Sequence, residues 1–554
     1  MKTIRLTSLA LTLLLVVSCG RKVSVSETSE DTPEIFPDYA GVTVPVNIAP
    51  LNFSYVGSDE PAVLIVSGKS GDRQIKGKKG LFSFPSRTWK SLMAENSGDD
   101  ITLTVAVKRG EKWVSLKPFT ISVSPDEIDP YLSYRLIPPG YQAWKKMGIY
   151  QRCLETYSQT AVFENSLTGG NCVNCHTYCQ RDPSRMLFHA RSEFGGTAMI
   201  LNDKVEKLNT KTDSTISALV YPYWHPSGKY VAFSVNKTNQ NFFSHNENRI
   251  EVYDSESDVV VYDVESHEIF WSALTRSEDS FETFPTFSPD GRSLYFCSAK
   301  AVSPMPDEYS KVKYSLCRID FDPESATFGD AVDTLYNGAA NDRSVSFPRI
   351  SPDGRFLVFT LCEYGNFSIW HKDADLWAAD LSSGEIFPLD AANSDDVDSY
   401  HSWSGNSRWL VFSSRRLDGL HTRPFICHID GDGKASKPFL LPQRDPLEYY
   451  ESQMNSYNLP ELMERKATVN PHDIATALRD TPGTDVAVRK SGYLSKGVFT
   501  GNVVPIKSLY TTSLFFFTSS LLCFISSSGR QSMLRKSSLN TGLFSAILIN
   551  LSYR

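Results

Sequence analysis

Acidic residues are missing from the end of the chain. Val486 to Arg554 contains no Asp or Glu but eight Lys or Arg, whereas the preceding 485 residues carry 48 basic and 63 acidic side chains. The first 485 residues are therefore acidic, which excludes nucleic acid and anionic membrane surfaces as main partners, because both are bound by positive patches. Residues 486–554 also lack the mixed charges of a folded soluble surface. We therefore predict an atypical tail that is either disordered or not native.

Signatures of several enzyme classes are missing too. No Gly-x-Ser-x-Gly sequence occurs, so the nucleophile elbow of serine hydrolases is absent. Cys-x-x-Cys-His occurs once, which does not suit multihaem reductases or dihaem peroxidases. No other group of acid, base and nucleophile stands out. The sequence therefore favours a non-enzymatic function.

The N-terminus has the features of an export signal. Lys2 and Arg5 precede an apolar run, Leu9 to Val17, which is too short to span a bilayer. The run ends in Val-Val-Ser-Cys19, which resembles the lipobox of bacterial lipoproteins. The resemblance implies a signal peptide at residues 1–19, lipid on Cys19 and a membrane-anchored protein of the cell envelope, in the periplasm or at the outer membrane. An ordinary cleaved signal with an incidental Cys is the alternative.

A β-rich domain is predicted after a short tether. Residues 20–33 are polar and without periodicity, as in a flexible linker. Residues 34–125 contain seven short strand-like segments, and Ile101 to Val107 alternates clearly. This spacing predicts an immunoglobulin-like β-sandwich, without an inter-sheet disulfide because the segment has no Cys. Residues 126–185 are predicted to be a connector with one helix near residues 150–160 and a haem-binding loop.

Four copies of one repeat follow. Each copy has a strand, a turn related to Ser-Pro-Asp-Gly and a second strand, and two more strands follow downstream. In such turns Pro fixes φ and Gly supplies a left-handed position. Four-stranded units repeated along a chain are typical of propeller blades. The copies read "YPYWHPSGKYVAFSVN" from Tyr221, "FPTFSPDGRSLYFCSA" from Phe284, "FPRISPDGRFLVFTLC" from Phe347 and "YHSWSGNSRWLVFSSR" from Tyr400.

These turns resemble the TolB-type, WD-repeat-like propellers of Gram-negative envelopes. The resemblance covers residues 187–442 and departs from the motif at His225 and at Gly405-Asn406-Ser407. It implies a propeller of five to six blades over residues 186–445, with a degenerate blade at residues 187–213 and a C-terminal extension at 446–485. The predicted fold class is therefore mainly β, an immunoglobulin-like sandwich followed by this propeller.

Cys172-Val173-Asn174-Cys175-His176 resembles the attachment signature of c-type haem. The resemblance implies one haem c, with Cys172 and Cys175 in thioether bonds and His176 on the iron. His189 is the first choice for the second axial ligand because it begins the next strand, and Met186 or His225 are alternatives. The chain also resembles exported propeller lipoproteins with one such motif before the first blade. Electron transfer or redox sensing with an envelope partner follows as the predicted function.

Two other interpretations of this cluster stay open. Cys172, Cys175, His176 and Cys179 are four soft ligands suited to zinc, although structural zinc sites usually combine ligand pairs from separate segments. A disulfide or free thiols are the other possibility, since export compartments are oxidising. With haem present, Cys179 is left to pair with Cys153. Without haem, the chain would be a redox-silent propeller that binds a protein or a glycan, with a structural Cys cluster.

Overall fold

The computed structural model describes residues 22–139, 146–244, 248 and 250–490, together with the backbone of Val498–Thr500. The predicted signal peptide, Cys19 and nearly all of the predicted tail lie outside the described residues. Within the described part of the chain, no helix is long and apolar enough to cross a membrane.

The N-terminal domain contains two β-sheets that share one apolar core. Ten strands form it: β1 (Glu27–Thr28), β2 (Ile35–Phe36), β3 (Thr43–Pro45), β4 (Phe53–Tyr55), β5 (Ala62–Gly68), β6 (Gly71–Lys76), β7 (Leu81–Phe82), β8 (Asp100–Arg109), β9 (Lys112–Ser115) and β10 (Phe119–Ser124). The larger sheet has the order β1-β9-β8-β10-β3, with β5 paired to β8 and β6 to β5, and the smaller sheet is β2-β4-β7. An immunoglobulin-like topology stays a prediction.

One helix interrupts this domain where the sequence predicts only strands and loops. In α1 (Ser86–Glu95), Trp89, Leu92 and Met93 are buried at the i, i+3, i+4 spacing of an amphipathic helix. The Trp89 indole N–H donates to the Ile48 carbonyl at 2.9 Å. The helix therefore completes the core on one side of the sheets.

Six four-stranded blades form the rest of the molecule. Their strands, in chain order, are β11 (Tyr131–Ile137), β12 (Gly148–Cys153), β13 (Gln159–Glu164); β14 (Val173–Cys179), β15 (Asp182–Ala190), β16 (Gly196–Leu201), β17 (Lys204–Asn209); β18 (Val220–Trp224), β19 (Tyr230–Phe242), β20 (Ile250–Asp263), β21 (Glu268–Phe270); β22 (Ser280–Phe287), β23 (Ser293–Lys300), β24 (Ser315–Asp322), β25 (Thr327–Tyr336); β26 (Ser344–Ile350), β27 (Phe356–Cys362), β28 (Asp375–Asp380), β29 (Ile386–Pro388); β30 (Asp398–Trp403), β31 (Trp409–Ser414), β32 (Arg423–His428), β33 (Phe439–Leu440); and β34 (Ser456–Met463).

The blades close into a ring. The first five blades are β14–β17, β18–β21, β22–β25, β26–β29 and β30–β33, and the sixth has the order β34-β11-β12-β13. Their innermost strands contact one another in sequence, from β14 through β18, β22, β26, β30 and β34 back to β14. The chain is thus a six-bladed β-propeller with a mainly β fold, as predicted.

The sixth blade corrects two predicted boundaries. Residues 126–185 are not a connector, because β11, β12 and β13 are blade strands and the helix predicted near residues 150–160 is absent from this described segment. Residues 446–485 are not a simple extension, since β34 pairs antiparallel with β11 and places Met463 opposite Tyr131. β11 and β34 are more than 300 residues apart in the sequence, so their pairing leaves no local sequence pattern that would predict it.

The chain after β34 continues around the outer edges of three blades. β35 (Thr484–Asp485), β36 (Ala487–Val488) and β37 (Val498–Thr500) pair in parallel with β17, β21 and β25. The Arg489 guanidinium lies 3.0 Å from the Asp263 carboxylate and stacks on the Phe270 ring. The predicted tail therefore begins in paired structure, because these additions cover exposed strand edges.

Three short helices join the strands: α2 (Gly338–Asn341), α3 (Pro446–Ser452) and α4 (Pro471–Asp480). The N-terminal domain packs on the fifth blade, and Trp409 of β31 belongs to the same apolar cluster as Trp89 of α1. The Trp409 indole N–H donates to the Asp126 carbonyl at 3.1 Å. A shared core of this kind makes the two domains one cooperative unit.

Candidate ligand site on the propeller axis

The Cys172–His176 segment lies on the innermost strand of the first blade. Val173 to Cys179 form β14, which pairs antiparallel with β15. The predicted haem-binding loop is therefore a blade strand, although Gly169 and Gly170 do precede it with positive φ. The segment reaches the propeller axis because β14 contacts the innermost strands on both sides.

Every innermost strand carries the same β-bulge. In each blade the register shifts next to one residue with φ between 48° and 55°, and these residues are Cys175, Tyr221, Phe284, Phe347, Tyr400 and Leu459. The repeat places an aromatic residue here, followed by Pro in three copies. Cys175 and His176 thus occupy the aromatic and Pro positions, as Tyr400 and His401 do in the fifth blade. Cys179 takes the position of the turn Ser.

This arrangement does not fit a haem c. Cys172 packs in an apolar cluster with Met147 and Phe188, whereas Cys175 lines the cavity on the axis. Two thioether bonds to one porphyrin edge need both thiols on one side. The axial cavity has a volume of about 110 Å³, well below the roughly 300–1,000 Å³ that drug-sized ligands occupy. Haem attachment would require the inner strand of the first blade to open.

The predicted axial ligands are not brought together. His176 is 4 % exposed, and within the described residues neither of its ring nitrogens makes a hydrogen bond of good geometry. The Leu459 backbone is close enough to oppose the lowering of its pKa. His189 Nδ1 lies 3.3 Å from the Thr197 hydroxyl, and His189 is not among the residues that line the axial cavity. Met186 is buried in the core of the first blade. His225 accepts from the Ser227 N–H at 3.2 Å and donates to the Gly291 carbonyl at 3.0 Å, so it caps its own turn.

The zinc and disulfide interpretations are not supported either. Among the described residues, no group of three or more His, Cys, Asp or Glu side chains is placed to hold a metal ion. Cys153 and Cys179 are both free thiols. Cys179 instead contacts the His225 carbonyl, with its Sγ 3.7 Å from that oxygen. Cys172 and Cys179 pack in apolar clusters, whereas Cys175 lines the cavity.

The axial cavity opens on the face that carries the turns of the repeat, where Pro226, Pro289 and Pro352 line it. Four of the six bulge residues also line it, namely Cys175, Tyr221, Phe347 and Leu459. Neighbouring rings pack edge to face, with 4.9 Å between the centroids of Tyr221 and Phe284 and 4.9 Å between those of Phe347 and Tyr400. The aromatic rings near the axis therefore pack against one another, and Tyr221 and Phe347 add apolar surface to a concave site of the kind that binds ligands.

The residue two positions after each bulge faces this cavity in five of the six blades. These residues are Thr177, Tyr223, Arg349, Ser402 and Glu461. The repeat thus presents one side chain per blade to the axis while the flanking residues hold the strand. Two of these five side chains are ionisable, and their surroundings differ.

Arg349 has no acidic partner. Its guanidinium lies over the Phe347 and Tyr223 rings, at 3.9 and 4.9 Å from the centroids, and its Nη1 donates to the Pro348 carbonyl at 2.7 Å. Of the carboxylates in the described residues, none forms an ion pair with it. Burial lowers the pKa of Arg349, while nearby Tyr223 and Glu461 oppose that shift. The aromatic rings therefore hold a charged guanidinium at the cavity wall.

Glu461 is the carboxyl group in the cavity. It accepts from the Tyr178 backbone N–H at 3.0 Å and from the Thr177 hydroxyl at 3.3 Å. Burial raises its pKa to about 7, against the lowering effects of Tyr178 and Arg349. This group is therefore partly protonated near neutral pH.

The two cavity histidines are neutral. Burial lowers the pKa of His176 to about 3, and the Arg135 guanidinium acts in the same direction. Burial likewise lowers the pKa of His401 to about 3. His401 Nε2 donates to the Val358 carbonyl at 2.8 Å, which leaves its buried Nδ1 as an acceptor without a partner. The Trp224 indole N–H, also at the cavity, has no partner.

Arg349 and Glu461 are not among the site residues that the sequence analysis predicts. A usable signal existed, because Arg349 stands at the variable third position of "FPRISPDG", where the other clear copies have Tyr, Thr or Ser. Glu461 stands at the same position of "LPELM", a sixth copy that lacks the turn. A charged residue at the axial position of a repeat is therefore the feature to look for.

No protein-family model matches the sequence, and no curated protein matches it. Among solved structures, it is similar to the propeller domain of the Trilobed protease from Pyrococcus furiosus, with 14 % identity, a TM-score of 0.29, 63 % of this chain and 96 % of that chain covered. It is similar to a periplasmic gluconolactonase from Pseudomonas aeruginosa, with 12 % identity and a TM-score of 0.32. This match covers 56 % of this chain and 97 % of the gluconolactonase. The match to the tricorn protease, with 11 % identity and a TM-score of 0.30, covers 72 % of this chain but only 43 % of that chain.

Proposed function

We propose that this chain is a cell-envelope lipoprotein whose propeller binds a glycan end-on in the axial cavity, without a redox cofactor. One observation carries the proposal: three residues that line the cavity, His176, His401 and Trp224, have buried polar atoms that find no hydrogen-bond partner within the described part of the chain. Each such atom costs about 1–3 kcal/mol when left unpaired. Several of them around one opening are therefore expected to have an external partner.

The chemistry of these atoms suits sugar hydroxyls. The Trp224 indole N–H is a donor, the His401 Nδ1 is an acceptor, and a neutral His176 offers one of each. A hydroxyl group both donates and accepts, so it satisfies either kind of partner. Tyr223, which is partly exposed, adds an aromatic ring at the cavity. The small volume favours entry of one end of a glycan rather than enclosure of a chain.

The glycan prediction is tested with the full-length protein in detergent on an array of neutral and acidic oligosaccharides. We expect binding to a subset of them and at least tenfold weaker binding by Tyr223→Ala, which removes the aromatic face. Phe243→Ala is the matched control, because Phe243 is an exposed aromatic residue that does not line the cavity. Equal binding by both variants, or no binding to any glycan, would contradict the proposal.

The anchor is a separate part of the proposal. Cys19 ends the lipobox-like sequence, and stable membrane attachment needs more than one acyl chain, as bacterial lipidation provides. We expect Cys19→Ala to move the protein from the membrane fraction to the soluble fraction after cell lysis. Cys153→Ala is the control, since that thiol lies within the sixth blade. A Cys19→Ala protein that stays in the membrane fraction would show that the anchor lies elsewhere.

The competing proposal is the one that the sequence motif suggests, a single haem c on Cys172, Cys175 and His176 that serves electron transfer or redox sensing. The unpartnered nitrogens of His176 favour it, because a neutral imidazole is a common metal ligand. The different surroundings of the two thiols, one in an apolar cluster and one at the cavity, and the small cavity volume weigh against it. The two proposals predict opposite results for covalently bound haem.

A further inference from the structure

The chemical class of the glycan follows from the charges at the cavity, and this step rests on the proposed function. We propose that the cavity selects a hexuronic acid at the end of a glycan, with the sugar carboxylate bound by Arg349.

Arg349 is built to receive an anion. The rings of Phe347 and Tyr223 hold the guanidinium, and the Trp403 indole N–H donates to the Arg349 carbonyl at 3.1 Å. Nη1 is used by the Pro348 carbonyl, and the described residues supply no ion pair for the remaining donors. A guanidinium binds a carboxylate through two parallel N–H···O bonds. An acidic sugar provides this partner, whereas a neutral hexose does not.

The remaining charges do not cancel that of Arg349 when Glu461 is protonated. The ionisable groups beside Glu461 are Arg349, Arg181, His176, His401, Tyr178, Tyr221, Tyr223, Cys175 and Cys179. Burial raises the pKa of Tyr178, Tyr221, Cys175 and Cys179, so these four groups stay neutral. Both histidines are neutral, and the Arg181 guanidinium has Asp129 at 4.0 Å as its own partner. Arg349 is then the cation of the cavity that has no carboxylate partner among the described residues. Ionised Glu461 would oppose its charge and repel the sugar carboxylate.

The neutral polar atoms around the cavity suit the rest of the sugar. The donor on Trp224 and the acceptor on His401 match ring hydroxyls, which a simple inorganic anion lacks. A volume of about 110 Å³ corresponds to roughly four waters at about 30 Å³ each. This is room for the acidic end of one sugar, with the rest of the glycan outside the turns that line the opening.

The test compares matched pairs of ligands by calorimetry with the full-length protein in detergent at pH 6. The probes are galacturonic and glucuronic acid, free and as short oligomers, against galactose and glucose in the same forms. We expect at least tenfold tighter binding of one acid than of its neutral partner. Arg349→Gln should remove this preference, and Arg349→Lys should restore part of it because the charge returns without the planar fork.

Arg355→Gln is the control, since Arg355 is an exposed arginine of the same blade that pairs with Asp380. Between pH 7 and 9, wild-type affinity for the acid should fall about tenfold per pH unit, because ligand binding then requires uptake of a proton by Glu461. Glu461→Gln, whose amide can still accept from the Tyr178 N–H, should abolish this fall. The melting temperature of each variant separates lost binding from lost folding.

Each outcome distinguishes this inference from the function on which it rests. If neutral glycans bind as well as acidic ones, or if Arg349→Gln keeps the preference for the acid, the hexuronic acid assignment is wrong while glycan binding stands. If no sugar binds but a peptide with a free C-terminal carboxylate does, both the assignment and the proposed glycan function are overturned.

Discussion

Protein produced together with a haem-attachment system is expected to be colourless and to give no haem-stained band after denaturing electrophoresis. Cys172 packs in the apolar core between blades while Cys175 lines the axial cavity, so the folded strand does not present both thiols to one porphyrin. Thioether bonds survive denaturation, which makes the stain specific for covalent haem. The absorption spectrum of the native protein provides the second measurement.

Two variants make this result decisive. The Cys172→Ala/Cys175→Ala variant lacks both thiols. If wild-type protein gives a stained band and this variant does not, the chain carries a covalent haem and our prediction is wrong. Cys175→Phe introduces the residue found at the matching bulge in the third and fourth blades. This change inserts a larger side chain at a buried position, so it should cost no more than about 3 kcal/mol in unfolding free energy if the site accepts the residue of the other blades, as measured by urea denaturation. If wild-type protein does carry haem c, Cys175→Phe would instead remove one of its two thioether bonds.

The repeat shows how far the sequence predicts this fold. Four copies with Ser-Pro-Asp-Gly-type turns locate four blades directly, because each turn fixes two adjacent strands. The first blade is harder, since Gln180 and Arg181 stand where the other copies have Pro and Asp or related turn residues. The sixth blade is predicted only as the upper end of the range of five to six blades, and its strands are not located by the sequence. Its innermost strand comes from residues 456–463 and its other three from residues 131–164, and no local pattern reports such distant pairing.

The candidate site was predicted in part. The segment around His176 does lie at the axial cavity, as a sequence with unusual residues at a repeat position would suggest. Cys175 of the Cys-x-x-Cys-His sequence coincides with the bulge of the first blade, so the motif overlaps a repeat position. The haem prediction itself is decided by the staining experiment. Arg349 and Glu461 are recognised as axial residues only when the six innermost strands are aligned at their bulges. The site is therefore a property of the closed ring, to which each blade contributes one position.

Closure of that ring predicts opposite effects for two truncations. A chain that ends at Gln453 loses β34, and we expect it not to fold. Leu462 and Met463 of β34 are fully buried, and burial of two such side chains contributes about 3–6 kcal/mol. This is a large part of the roughly 5–15 kcal/mol that stabilises a typical domain. Its loss also leaves β11 and β30 without their neighbour on the axis.

A chain that ends at Arg489 keeps β34, β35 and β36 and loses only β37 of the described strands. We expect it to melt cooperatively within about 4 °C of the full-length protein, since three edge residues contribute no more than about 1 kcal/mol. Circular dichroism melts and limited proteolysis measure both chains, with full-length Leu462→Ala/Met463→Ala as a check that β34 itself is responsible. A Gln453 chain that melts like the full-length protein would show that the ring closes without β34. An Arg489 chain that does not fold would show that residues after Arg489 are part of the native fold.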